Sequence, residues 1–439
     1  MQPQLPTILA VSINAWRDEG NIHTQIDIFS NWQADRMAQI YAKADLPNTT
    51  VCHKFFQVAE NSVLHSIYRP GAKVGKEVFN TTEFSDKDKV AMAEEHARYA
   101  RARKKHSWLM SCCRELVWLL GHWKSKELDR FIDEVNPDVL FIPIYPTIYM
   151  GWLQRYVLKR TGKPAVCYLA DDNYTYKSCG RNPLAYVHRF FLRREVSRLV
   201  KACDKMFVIV DKQKEEYDRI FGVDSRILTK GIDYSKLQRE EIPVHFPLRM
   251  VYTGKLIIGR DKSLAAISKA LKEINRNGEK ITLDVYSPDI VDEETMKLLN
   301  SNGVSFKGSV PLQQVAAIQA QADIVVFVES LEKEFRQAAR LSFSTKLTDY
   351  FKSGKCVFAI GDAEIAPIDY LRRNDAAVIA SEYDEILPQL QKMVEHPEMV
   401  NEYGRKGFEC GKRNHDVEVI KKTLRDTFCE VYENHRRRS

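Results

Sequence analysis

Short runs of apolar, β-branched residues alternate along the chain with longer segments in which apolar residues recur every three to four positions. The short runs predict buried strands, and the longer segments predict amphipathic helices. Their alternation is typical of parallel sheets covered by helices on both faces. The predicted strands form two series: 8–12, 37–41, 139–142, 165–169 and 206–210, then 250–253, 281–286, 304–306, 324–328 and 356–360.

The two series predict an α/β protein of two doubly wound parallel-sheet domains, which suits a chain of 439 residues. We expect an N-terminal domain over 1–235, a linker over 236–247 and a C-terminal domain over 248–412. Residues 413–439 are predicted to form a helix that can pack back on the first domain. Ligands of such sheets bind beyond the carboxyl ends of the strands, so the main site is expected in a cleft between facing domains.

Composition agrees with an ordinary globular protein, with 44% hydrophobic and 28% charged residues. The nine cysteines include no C-x-x-C pair, so neither a disulfide framework nor a zinc site is indicated. We therefore expect a cytoplasmic protein with no metal and no other cofactor. The first residues do not resemble a signal peptide, and no apolar run approaches the ~20 residues that span a bilayer.

Most of the net charge of +7 comes from the first half of the chain. Residues 101–126 contain seven basic residues and one acidic residue, a local excess of six, and a second basic stretch covers 189–205. Such a distribution indicates an anionic partner for this half. The basic residues are not interleaved with a recognisable nucleic-acid-binding module, so no nucleic acid is expected as that partner.

A helix predicted from about 102 to 131 carries part of this charge and a stripe of apolar residues. The stripe has 4-3-4-3 spacing and consists of Leu109, Cys113, Leu116, Leu120 and Trp123. A helix of this kind can lie in a membrane interface, so an anionic membrane surface is a candidate partner through 101–131, on the inner face of the cell membrane. The alternative is a core helix with solvated ends, because an apolar stripe usually faces the core.

Two loops of the first half follow predicted strands and carry candidate site residues. In the first loop, Gly20 allows close approach of the backbone to an anionic ligand such as a diphosphate at the start of a helix; an ordinary strand-to-helix turn is the alternative. In the second loop, Asp171 and Asp172 follow the strand 165–169. Either carboxylate can act as a base toward an acceptor hydroxyl or stabilise positive charge on a sugar ring. Alternatively, one of them caps a helix or forms an Asx turn.

The second half opens with a strand, a glycine-containing loop and three cations before a helix. Gly254, Lys255, Arg260 and Lys262 suit a diphosphate, because backbone N–H groups and fixed positive charges offset its negative charge. The spacing is not that of a Walker loop, which requires G-x-x-x-x-G-K-S/T. A solvated basic turn is the alternative.

A second motif combines a helix start, a cation and a carboxylate. Ser344 and Thr345 begin a helix, Lys346 adds a positive charge, Asp349 follows one turn later, and Gly354 ends the helix. A phosphate at the helix start and a carboxylate on the same face can together hold a phosphate and ribose hydroxyls.

The order of these motifs resembles the donor domain of family 4 (group 1) glycosyltransferases of the bacterial-polysaccharide type, which have the GT-B fold. The matching stretches lie within residues 248–375 and are 254–263, 303–310, 322–326 and 344–355. The resemblance implies that Lys255, Arg260 and Lys262 contact the donor diphosphate. It further implies that Ser344, Thr345 and Lys346 contact its distal end and that Asp349 binds the ribose.

Two positions depart from the family pattern. Family members often carry two glutamates eight positions apart, where this chain has Leu341 and Asp349. The histidine-aspartate pair usual in the first domain is replaced by Ala170-Asp171 or Asp171-Asp172. The sugar-facing contact is therefore unassigned, and no catalytic histidine is transferred from the family.

The expected function is transfer of a hexose-like sugar from a UDP- or GDP-sugar to a glycan or lipid-linked glycan, with the retention of stereochemistry that the resemblance implies. Two other functions stay open at this point. One is a nucleotide-sugar epimerase of the same fold, which needs no acceptor. The other is a basic nucleic-acid-binding protein, although this would leave the second half without a role.

Overall fold

The computed structural model describes most of the chain in two compact units. The first unit comprises Met1–Ile209, Lys214–Leu228 and Ile420–Ser439, and the second comprises Val210–Gln213 and Thr229–Val419. The described residues are 5–18, 23–69, 71–80, 85–86, 89–90, 92–93, 97, 108–179, 182–241 and 243–438.

The first unit contains an eight-stranded sheet in the order β4-β3-β2-β1-β5-β6-β7-β8, parallel except for the antiparallel pair β3 and β4. Its strands are β1 (Ile8–Ser12), β2 (Met37–Tyr41), β3 (Lys54–Gln57), β4 (Lys76–Val78), β5 (Val139–Pro143), β6 (Ala165–Leu169), β7 (Lys205–Val208) and β8 (Arg226–Ile227).

The second unit contains a six-stranded parallel sheet in the order β11-β10-β9-β12-β13-β14. Its strands are β9 (Leu248–Thr253), β10 (Ile281–Tyr286), β11 (Val304–Gly308), β12 (Ile324–Val328), β13 (Cys356–Ile360) and β14 (Val378–Ala380).

Helices connect the parallel strands of both sheets. In chain order they are α1 (His23–Phe29), α2 (Glu60–Tyr68), α3 (Trp108–Leu120), α4 (Lys126–Val135), α5 (Ile148–Thr161), α6 (Pro183–Ala202), α7 (Asp211–Phe221), α8 (Arg260–Ile274), α9 (Glu293–Leu298), α10 (Leu312–Ala320), α11 (Thr345–Ser353), α12 (Ala366–Arg373), α13 (Tyr383–Glu395), α14 (Glu398–Asn414) and α15 (Val417–Arg438).

The predicted α/β class with two doubly wound sheets is confirmed, and all ten predicted strands are present. Every residue of β5 and β12 is buried, as expected for central strands whose two faces are both covered. The short apolar runs in the sequence did not predict the other four strands, which are β3, β4, β8 and β14. These strands have two to four residues each, too few for an apolar run to stand out from its surroundings.

The single helix predicted over 102–131 is wrong, because the chain breaks between α3 and α4. Gly121 packs so closely on α2 that a Cβ atom there would lie 2.3 Å from a methyl carbon of Val63. Ser125 then starts α4 by accepting a hydrogen bond from the amide of Leu128 at 3.2 Å. Residues 102–107 of that prediction lie outside the described residues.

The last helix supplies part of the hydrophobic core of the first unit. Ile420, Leu424, Phe428 and Val431 of α15 are buried in the same cluster as residues of β1, β2 and β5. The Phe428 ring lies 5.8 Å from Phe29, 5.8 Å from Trp32 and 6.1 Å from Phe141. Residues from the two ends of the chain therefore close one core.

Candidate functional site

The two glycine-and-cation motifs of the second half meet at the carboxyl end of β9. The Lys346 ammonium donates a hydrogen bond to the carbonyl of Thr253, the last residue of that strand, at 3.1 Å. A Cβ atom on Gly254 would lie 2.3 Å from the Lys346 Nζ, so the absence of a side chain at Gly254 admits the ammonium to this position. Two motifs about ninety residues apart in sequence thereby form one site.

Lys346 is a partly buried cation beside other cations. Burial lowers the pKa of Lys346 to about 8, Arg260 and Lys255 lower it, and the carboxylate of Glu329 opposes them. An anionic ligand would stabilise the charged form of this lysine, because it would offset both desolvation and the repulsion of neighbouring cations. The electrostatics of the site therefore favour a negatively charged ligand.

Arg260 is held in place by a buried carboxylate that the sequence analysis did not single out. Its guanidinium donates to both carboxylate oxygens of Glu329, at distances from 2.8 to 3.2 Å. Burial raises the pKa of Glu329, while Arg260 and Lys346 lower it. Glu329 directly follows β12, and a polar residue at the carboxyl end of a predicted strand was the signal that could have revealed it.

Arg260 and the start of α11 line one cavity of about 250 Å3. Its lining includes Glu329 and Ser344, together with Ser342, Phe343 and Ile258. The Ser344 side chain forms no capping hydrogen bond, although Ser344 occupies the N-cap position of α11. The backbone N–H groups of the first turn are therefore not satisfied by that side chain, and a helix start of this kind favours an anion.

Helix α11 buries one face and presents another. Leu347, Tyr350 and Phe351 are buried against the unit, while Thr345, Lys346 and Asp349 are partly exposed. Gly354 ends the helix in the left-handed conformation, at φ 66°. Lys346 and Asp349, three positions apart, are thus neighbours on the accessible face.

The structure separates one of the predicted diphosphate ligands, Lys262, from this group. Lys262 is 62% exposed, lies 3.5 Å from Glu332, and lines a different cavity together with Lys269 and Tyr383. Lys255 is exposed, and its backbone carbonyl accepts a hydrogen bond from the buried Tyr252 at 2.6 Å. Lys255 lies close enough to lower the pKa of Lys346, whereas Lys262 does not contribute to that shift.

Asp349, the predicted ribose ligand, is paired with a lysine that no motif indicated. Its Oδ1 lies 2.7 Å from the Nζ of Lys230. The Asp349 side chain is 45% exposed, so the carboxylate is accessible from solvent.

The two candidate carboxylates of the first unit differ in what they contact. Asp172 is buried and accepts hydrogen bonds from the amide of Thr175 at 2.8 Å, the hydroxyl of Thr175, and Tyr217 Oη at 3.0 Å. This is the Asx-turn alternative, in which the carboxylate orders its own loop. Asp171 is exposed on the same loop. Gly20, the remaining candidate, lies outside the described residues.

Solved structures with the same architecture match this chain over nearly its whole length. HepE from Anabaena in complex with UDP is 11% identical, with a TM-score of 0.58, over 97% of this chain and 100% of that chain. Sucrose-phosphate synthase from Thermosynechococcus elongatus is 9% identical, with a TM-score of 0.58, over 97% and 99%. α,α-Trehalose 6-phosphate synthase from Burkholderia multivorans is 10% identical, with a TM-score of 0.54, over 98% of each chain.

These proteins are GT-B glycosyltransferases, and this chain has the GT-B fold. The fold that the sequence resemblance implied is thereby confirmed. At the level of sequence, no family model and no curated protein matches the chain.

Proposed function

We propose that this protein is a glycosyltransferase that takes a hexose-like sugar from a UDP- or GDP-sugar and transfers it to a glycan or lipid-linked glycan. The observation that carries the proposal is the convergence of Lys346, Arg260 and Gly254 at the carboxyl end of β9, beside the uncapped start of α11. The GT-B fold supports it, and the UDP bound to HepE supports a nucleotide donor.

The proposed donor site stabilises the leaving diphosphate. Lys346 and the first-turn N–H groups of α11 bind its oxygens, and Arg260 joins them while Glu329 keeps the guanidinium oriented. Charge on the leaving group grows as the bond to the sugar breaks, so fixed positive charges lower the barrier. Asp171 is the proposed acceptor-side carboxylate, because it is exposed while Asp172 is engaged within its loop. The proposal uses no metal.

A screen of nucleotide sugars by thermal shift tests the function. A ligand present at 100 times its dissociation constant stabilises the protein by about 2.7 kcal/mol, which is a measurable shift. We expect a UDP- or GDP-sugar to raise the unfolding temperature in the presence of a chelator. Product analysis with the donor alone separates transfer from epimerisation. A screen in which no nucleotide or nucleotide sugar has an effect would overturn the proposal.

Donor binding is expected to depend on pH through Lys346. Its pKa of about 8 in the free protein rises when the diphosphate binds, so affinity is greatest below pH 8. Above pH 8 affinity falls, by up to about tenfold per pH unit until the pH reaches the raised pKa of the complex. Calorimetric titration of the nucleotide diphosphate from pH 7 to 9.5 measures this. Lys346→Arg, whose side chain stays charged, should remove most of the dependence; an unchanged profile in that variant would contradict the assignment.

An anionic membrane surface is the second proposed partner. The described part of the predicted stripe supports it, since Leu116 and Leu120 are 53% and 60% exposed and Leu119 beside them is 61% exposed. The Oε1 atom of Glu115 lies 3.6 Å from Nε2 of His188, and this contact joins α3 to α6. Helix α6 exposes further apolar side chains: Leu184, Val187, Phe190 and Phe191. Trp123 of the predicted stripe is buried and takes no part. No helix among the described residues is both long and apolar enough to cross a bilayer.

Liposome flotation tests this surface. We expect binding to vesicles that contain anionic phosphatidylglycerol, weaker binding to neutral phosphatidylcholine, and loss of binding when Leu119 and Leu120 are both changed to serine. Leu312→Ser is the matched control, because Leu312 is 73% exposed on α10 of the other unit. Binding that is absent, or equal in the double variant and the control, would remove the membrane claim.

A further inference from the structure

Lys230 and Asp349 form a close ion pair that is only partly exposed. The two side chains are 21% and 45% exposed, and their charged atoms are 2.7 Å apart. Among the described residues, Asp349 is the hydrogen-bond partner of the Lys230 ammonium, which keeps two further N–H groups. The second carboxylate oxygen of Asp349 likewise retains acceptor capacity.

The backbone around Lys230 is fixed by a short bridge to the start of α15. The amide of Ile232 donates to the carbonyl of His415 at 2.8 Å, and the amide of Val417 donates to the carbonyl of Ile232 at 2.9 Å. Gly231 lies so close to this segment that a Cβ atom would be 2.8 Å from the Cα of Val417. The backbone that directly follows Lys230 is therefore held against the start of α15.

An aromatic cluster connects that bridge to the helix of Asp349. The buried His415 ring stacks on Phe343 at 5.5 Å with an interplanar angle of 18°, and lies 5.9 Å from the ring of Phe351. Phe343 directly precedes the N-cap of α11, and Phe351 belongs to α11. Lys230 and Asp349 are thus held on two segments that pack against the same histidine.

We propose that Lys230 is a second ribose-binding residue, which acts with Asp349 to recognise the cis-diol of the donor nucleotide; this inference rests on the proposed function. A vicinal diol offers hydroxyl donors and oxygen acceptors side by side. The free oxygen of Asp349 accepts from one hydroxyl, and a free N–H of Lys230 donates to the oxygen of the other. Asp349 lies one helical turn from Thr345 and Lys346, so the ribose contact adjoins the diphosphate contact.

Binding of the diol by Lys230 and Asp349 predicts that the site prefers nucleotides that carry a 2′-hydroxyl over those that lack it. A nucleotide that lacks the 2′-hydroxyl leaves one of the two charged groups without its partner, and sites that hydrogen-bond a hydroxyl discriminate strongly against analogues that lack it. Because a half-exposed ion pair contributes little to folding, Lys230→Met should leave the unfolding temperature nearly unchanged. An effect on binding would then report recognition rather than folding.

Calorimetric titration with UDP, GDP and their 2′-deoxy forms tests the inference. We expect the wild type to prefer the ribonucleotide by at least about tenfold, the usual size for a charged hydrogen bond. Lys230→Met should bind the ribonucleotide about tenfold more weakly and lose most of that preference. Lys230→Arg should recover part of it. The matched control is Lys236→Met, since Lys236 is an exposed lysine of the same connecting segment.

The titration results distinguish the role of Lys230 from the proposed binding of a nucleotide donor. If the wild type binds UDP or GDP and Lys230→Met keeps both the affinity and the preference for ribose, the role of Lys230 is overturned while the donor site stands. If the wild type binds neither nucleotide, the proposed function and the inference both fail. If the Lys230 variants do not fold, Asp349→Asn provides the readout, and an unchanged preference in that variant overturns the diol site.

Discussion

Replacing Lys346 with alanine is expected to lower sugar transfer by at least about tenfold. The change removes the ammonium that lies against the Thr253 carbonyl and beside Arg260, where the proposed leaving diphosphate gains charge. Because that charge is greater in the transition state than in the bound donor, kcat should fall as well as kcat/KM. Initial rates at several donor concentrations measure both constants.

Lys352→Ala is the matched control for this prediction. It makes the same change in the same helix, at an exposed position in the last turn of α11. Its rate should stay close to that of the wild type. If Lys346→Ala retained full activity while folding normally, the assignment of the start of α11 to the diphosphate would be wrong.

Replacing Phe428 with alanine is expected to cost the first unit about 3 to 5 kcal/mol of unfolding free energy. The ring is fully buried among Phe29, Trp32 and Phe141, so its removal leaves a cavity that rigid aromatic neighbours cannot close. Urea unfolding followed by tryptophan fluorescence measures this loss. All six tryptophans lie within residues 16–152, so the signal reports the first unit.

Phe191→Ala provides the comparison for Phe428. It removes the same side chain from α6 of the same unit, at a site that is 53% exposed, and should change stability by no more than about 0.5 kcal/mol. Equal losses in the two variants would mean that the α15 contacts do not contribute to the core. A loss of stability confined to Phe428→Ala would show that α15 contributes to the stability of the first unit.

The strands and the two glycine-and-cation motifs of the second half could be recognised in the sequence because both are local properties. Central strands such as β5 and β12 are continuous apolar runs, and glycine, serine, threonine and lysine at a strand-to-helix junction indicate an anion site through backbone geometry alone. The short strands, and the break at Gly121 between α3 and α4, could not be predicted in this way. The break depends on how closely α2 approaches, which is a contact between distant segments.

The α/β class, the two sheets and the residue types suited to an anionic ligand follow from local patterns along the chain, because periodicity and turn chemistry act over a few residues. Which of those residues share a site depends on the packing of distant segments. This packing brought Lys346 to Gly254, paired Arg260 with Glu329 and Asp349 with Lys230, and turned Lys262 toward Glu332. These pairings join segments that are up to about 120 residues apart, and the packing of helices on the sheet, rather than any local pattern, sets which side chains meet.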